Sequence, residues 1–138
     1  MTVSETNSKA KAIGYWVTTA LVAFAIGSGG AAQLAHMPQN VEGMMHLGYP
    51  AYLLTILGVW KVAGTVAILA PGFPRLKEWA YAGIFFDLTG AAASHAASGD
   101  VVWHIVAPSV LAVLTVASWA LRPPSRVLGT LGGKERQA

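Results

Sequence analysis

Between Lys11 and His36 the chain runs for 24 residues without one Asp, Glu, Lys, Arg or His. A helix needs only about 20 mostly apolar residues to cross a bilayer core. The feature recurs. Residues 51–70 are apolar except for Lys61, and residues 79–98 except for Asp87 and His95. The 21 residues between Asp100 and Arg122 hold only His104 as an ionisable side chain. This pattern predicts an all-α integral membrane four-helix bundle with spans at about 12–34, 51–70, 79–98 and 101–121. Residues 1–11 and 123–138 read as mobile flanks of that single membrane domain. Charged residues make up 11% of the chain and hydrophobic ones 54%. A typical soluble domain has about 25% charged residues, so this composition excludes disorder and argues against an ordinary water-soluble enzyme. With no cysteine, a thiol nucleophile, a disulfide or a thiolate-held cluster is excluded as well.

The positive charges are sorted. Lys9 and Lys11 precede the first span, Arg75 and Lys77 join the second to the third, and Arg122, Arg126, Lys134 and Arg136 follow the fourth. The connections at 35–50 and 99–100 contain no Lys or Arg. The positive-inside rule therefore predicts both termini in the cytoplasm and a multi-pass protein of the bacterial cytoplasmic (inner) membrane. The pI near 9.5 is thereby assigned to topology, and nucleic acid is not an expected partner; the lipid bilayer is. A cleaved signal peptide is the alternative for the first span, but its apolar run exceeds the usual core of about 7–15 residues.

Local chemistry marks the boundaries. Pro50 suits the first turn of the second span, Pro71, Gly72 and Pro74 the break before the third, and Asp100 the N-cap of the fourth. In the long first connection, Asn40 can cap a short helix over 41–47 with Gly48 as its left-handed stop. A simple tucked loop is the competing reading.

Lys61 and Asp87 are the most informative residues. A charge at the bilayer centre costs about 2.5–3.5 kcal/mol on the lenient insertion scale. At the helical rise both lie about 12–13 Å from the cytoplasmic end of their spans, on adjacent antiparallel helices. Lys61 shares a face with Gly58, Gly64 and Thr65, and Asp87 with Gly83, Gly90, Ala91, Ser94 and Ser98. Small residues line tight helix contacts in lipid, so the two charges are expected to meet inside the bundle. Such a pair can merely set helix register, or it can orient a ligand or handle protons. Ser94, His95 and Trp60 complete the candidate site.

All four histidines are expected on the outer side. With Glu42 and Asp100 they could form a metal site, and His46, His95 and His104 are the set a metal would use, but no paired helical spacing supports one. No metal is therefore expected, and haem ligation lacks facing histidines at matching depth. Pro108 removes a backbone bond inside the fourth span. Gly27, Gly29 and Gly30 permit close approach or local unwinding near Gln33, and Trp16, Trp79 and Trp119 fit interfacial anchors.

The segments "LGYPAYLLTILGVWK", "PRLKEWAYAG" and "FDLTGAAASH" resemble the DoxX-like family of small bacterial membrane proteins, over nearly the whole chain from Gly14 to Leu121. The resemblance implies four membrane helices. It also implies a link to quinones or membrane redox assemblies, because relatives include a subunit type associated with thiosulfate:quinone oxidoreduction. It transfers no catalytic residue. The leading expectation is a non-thiol subunit that holds a quinone or similar lipophilic molecule near Lys61, Asp87 and His95, beside a redox partner protein. The chain alone is not expected to be an enzyme. A proton-coupled transporter acting as a homo-oligomer and a membrane scaffold or assembly factor are the alternatives.

Overall fold

A computed structural model describes residues 2–128 of the protein. Every regular element among them is helical: α1 (Val3–Leu34), α2 (Pro38–His46), α3 (Leu53–Leu69), α4 (Pro74–Ala97), α5 (Val102–Ala120) and a 3-10 turn at Pro124–Arg126. Helix α1 packs on α3 and α5, and α4 packs on the same two, so the four long helices close a ring of contacts. Short α2 touches α1 and α3 at one end of the ring. That end also carries His46, His95 and His104 and is termed the histidine end. The opposite, basic end carries Lys77, Arg122 and Arg126.

The core is built from Val22 and Ile26 of α1, Ile68 of α3, Ile84 and Leu88 of α4 and Ala112 of α5. The exterior is also apolar: Phe24, Trp60, Trp79, Phe86 and Val113 are each more than two-thirds exposed. In water such a surface would drive association; against lipid tails it is matched to its solvent. By length and composition α1 and α5 are each able to cross a membrane, while α3 is apolar but shorter.

Several boundaries differ from the sequence expectations. From residue 2 onward the N-terminal flank is not irregular: Thr2 and Glu5 form a capping box, and α1 starts at Val3. Reciprocal satisfaction of two orphan donors is what starts the helix there. At 32 residues and a rise of 1.5 Å, α1 is about 48 Å long, well beyond a hydrocarbon core of about 30 Å. Helix α2 begins at Pro38 rather than behind Asn40, because Pro at the first position needs no N–H partner; Gly48 does end the turn beyond it, at φ 83°. Pro50 lies ahead of α3, which starts at Leu53. Arg75 and Lys77, expected in a loop, belong to the first turn of α4. Asp100 does not cap α5; its carboxylate is taken by two histidines instead, and Val101 stands at the N-cap without a side-chain bond. Of the expected tail, residues 129–138, with Lys134 and Arg136, lie outside the described residues.

Candidate functional site between helices three and four

Helix α1 lies close against α3 because two glycines face each other across the crossing. A Cβ added at Gly58 would stand 2.9 Å from the Gly30 carbonyl, and one added at Gly30 would stand 2.8 Å from the Lys61 Cβ. The glycine-rich end of α1 thus serves close approach, and α1 stays helical through it. This contact backs the stem of Lys61 and aims the side chain away from α1, toward α4.

There Lys61 Nζ lies 3.4 Å from Asp87 Oδ2. Both side chains are about one-fifth exposed. The small residues around Asp87 act differently from expectation. Gly83 and Gly90 have nothing within 4 Å of an added Cβ. They leave space where tight packing was expected, and α3 and α4 touch less than any other pair in the ring.

The space forms two clefts. One, of about 630 Å³, runs toward the basic end between Trp60, Ala63, Leu76, Trp79 and Gly83. The other, of about 500 Å³, runs toward the histidine end past Gln33, Asn40, Tyr49, Gly90, Ser94 and His95. Leu57, Lys61, Phe86 and Asp87 line both. The ion pair therefore stands at the junction of an almost wholly apolar cleft and a more polar one. Of the five candidate residues, Lys61 and Asp87 meet directly, Trp60 walls the apolar cleft, and Ser94 and His95 lie along the polar one. Phe86 also lies beside the pair.

Three features at the histidine end take their geometry from the structure alone. The Tyr49 hydroxyl and Ser94 Oγ are 2.8 Å apart. Gln33 Oε1 is buried and has no partner among the described residues. Asp100 joins two histidines, with Oδ1 2.5 Å from His46 Nε2 and Oδ2 2.6 Å from His95 Nδ1. Each of those ring nitrogens must carry its proton to donate to the carboxylate. The hydrogen bonds from His95 and then His46 hold the Asp100 carboxyl below the ordinary aspartate range. The His104 ring packs on His95 with centroids 5.3 Å apart.

The basic end carries a structural polar network. Lys77 is fully buried and donates to the carbonyls of Ala67, at 2.7 Å, and Ala70. Arg126 donates to Ile68, Leu69 and Ala70. These two cations close the C-terminus of α3, where orphan carbonyls and the helix dipole favour positive charge. Glu78 accepts from Arg122 at 2.6 Å and from Trp119 Nε1 at 2.8 Å. Deeper in, Ser118 Oγ bonds both Thr19, at 2.6 Å, and the Tyr81 hydroxyl, at 2.7 Å. The spacing Lys77–Tyr81 is i, i+4; read as a polar face of a helix, it is the signal by which part of this network could be found.

A comparison with protein families matches residues 17–118 to the DoxX-like family. The chain is also similar to YdgD of Bacillus subtilis (strain 168), a protein described as uncharacterized, at 33% identity over 69 residues. That alignment covers 50% of this chain and 60% of the relative, so the chain spans less than two-thirds of the relative's length. No solved structure matches. With the family match extending from the middle of α1 to the last turn of α5, the chain belongs to the DoxX-like family.

Proposed function

We propose that this protein is a four-span membrane bundle of the bacterial cytoplasmic membrane, both termini inside, that binds a quinone-like lipophilic molecule in the groove between α3 and α4. In this reading it is the binding subunit of a redox-linked assembly. One observation carries it: a pair of opposite charges at the junction of an apolar cleft and a polar one. A quinone-like molecule has the matching anatomy. Its tail needs apolar walls, which Trp60, Leu76, Trp79 and Phe86 supply. Its oxygens need a donor and an acceptor, which Lys61 and Asp87 supply. The Lys61 ammonium donates to a headgroup carbonyl of the quinone form, and the Asp87 carboxylate accepts from a headgroup hydroxyl of the reduced, quinol form. Aromatic rings beside a few placed polar groups are the usual composition of a small-molecule site. The apolar cleft faces the exterior of the helix ring, so such a ligand enters from the lipid.

The test is decylubiquinone titrated into the full chain in lipid nanodiscs, read by tryptophan quenching. Saturable quenching is expected, with its amplitude much reduced in Trp60→Phe. Hydrogen bonds to charged groups contribute about 1.5–3 kcal/mol, so the double variant Lys61→Met with Asp87→Asn should weaken binding roughly tenfold or more. Quenching that does not saturate, or that the double variant leaves unchanged, would refute this reading.

A further inference from the structure

The segment HAASGDVVWH, residues 95–104, folds three metal-binding side chains into one place. The turn at Ser98 and Gly99 brings Asp100 back under His95, and Asp100 and His104 are four residues apart across the start of α5. The ligand atoms of His95, Asp100 and His104 all lie within 4.8 Å of one another. We propose that His95, Asp100 and His104 bind a divalent transition-metal ion of the zinc class at the histidine end, with His46 positioning the carboxylate.

The donor set selects the ion. Two imidazoles and one carboxylate, with no thiolate, suit Zn²⁺ and neighbouring borderline ions; hard Mg²⁺ and Ca²⁺ prefer all-oxygen sites. Three protein ligands leave a fourth position for water or an outside ligand. At metal–ligand distances of about 2.0–2.2 Å, tetrahedral donors stand about 3.5 Å apart, so His104 must close by about 1 Å and the His95–Asp100 pair, now 2.6 Å apart, must open by about as much. The His104 ring is free to do so, being exposed and making no hydrogen bond among the described residues. His95 presents Nδ1 to Asp100. On metal binding its proton moves to Nε2, and the metal takes the position the hydrogen bond held. His46 is placed as outer support, because it holds Asp100 Oδ1 while Oδ2 faces His95. Outer partners of this kind orient the first ligands.

A tie that only fastened α2 to α4 and α5 would need His46, Asp100 and His95, and would have no use for His104. That difference supplies the test. The tag-free full chain, stripped with chelator in detergent, is titrated with Zn²⁺ by calorimetry and with Co²⁺ by visible absorption. One equivalent per chain is expected, with Co²⁺ showing the intense bands of a site below six-coordinate. His104→Gln leaves both Asp100 hydrogen bonds in place, so the protein folds, yet Zn²⁺ affinity should fall at least tenfold. His46→Gln should cost about 10–100-fold, the usual range for an outer partner. His36→Gln should change nothing, because His36 bonds Thr55 elsewhere on this end. Non-saturable binding, unchanged affinity in His104→Gln, or an equal loss in His36→Gln would each overturn the proposal. None of these readouts involves Lys61 or a quinone, so this site and the α3–α4 groove succeed or fail separately.

Discussion

Asp87 and Lys61 compensate each other across a gap of 3.4 Å. Each charge is tolerable in an apolar ring of helices only because the other is present. Asp87→Asn leaves the ammonium without its counter-charge, and breaking one side of a buried pair typically costs about 3–5 kcal/mol. Lys61→Met with Asp87→Asn removes both charges and should recover much of that loss. Thermal denaturation of the four forms in detergent gives the coupling energy. Single effects that add to within about 0.5 kcal/mol would mean the groups do not interact. The residue-scale sequence reading found this pair because two charges in apolar spans are conspicuous and helical geometry sets their depth. It grouped Asp100 with the histidines of the outer side but could not say which of them it meets. That residue was read as a helix cap from its place before a span, while its hydrogen bonds go to His46, 54 positions away, and to His95 across a turn.

At the scale of elements, the decisive contact is the crossing of α1 over α3. Gly30 and Gly58 allow the backbones to meet, and Lys61 sits within one turn of that point. Gly58→Ala would place a methyl 2.8 Å from Leu34 Cγ and 2.9 Å from the Gly30 carbonyl. Leu34 can turn aside, but backbone cannot. Overpacking of this kind costs about 1–3 kcal/mol. The variant should melt earlier and should also weaken decylubiquinone binding, because displacing α3 shifts Lys61 relative to Asp87. Gly29→Ala is the control: its added carbon meets nothing within 4 Å, so it should leave binding unchanged and should not lower the melting temperature, alanine being the better helix former. Equal effects of the two substitutions would contradict the crossing geometry. Helix existence was legible from apolar run length. The extra turns of α1 were not, because the search for lipid-compatible residues stops at Lys11 while the capping box lies at Thr2 and Glu5.

At the scale of the molecule, the charge pattern predicts orientation. Single cysteines introduced into this cysteine-free chain should react with a membrane-impermeant maleimide from outside at Glu42 and Ser98, and remain protected at Leu76 until the membrane is opened. All three positions are exposed, so protection reports sidedness and not burial. Labelling of Leu76 in intact cells would invert or dissolve the four-span arrangement. The basic residues behind this prediction turn out to have a second role. Lys77 and Arg126 close the end of α3, and Arg122 ties α4 to α5 through Glu78. Charge sorting and helix capping coincide because α3 ends at the same face where the positive residues gather.

The sequence by itself determined that the chain is helical and about where its long helices lie, because apolar run length and chemical punctuation are local quantities. It also determined that Lys61 and Asp87 would share a depth, since rise per residue converts position into distance along a helix. Only the tertiary structure decided what surrounds them. Glycine reads the same in a sequence whether it admits a neighbouring helix, as at Gly30 and Gly58, or leaves a cleft open, as at Gly83 and Gly90. The histidines followed the same rule. His46, His95 and His104 have no shared helical spacing, and what gathers them around Asp100 is the packing of α2, α4 and α5 at one end of the ring. Contacts between helices depend on how the faces pair, and no local property of the chain encodes that pairing.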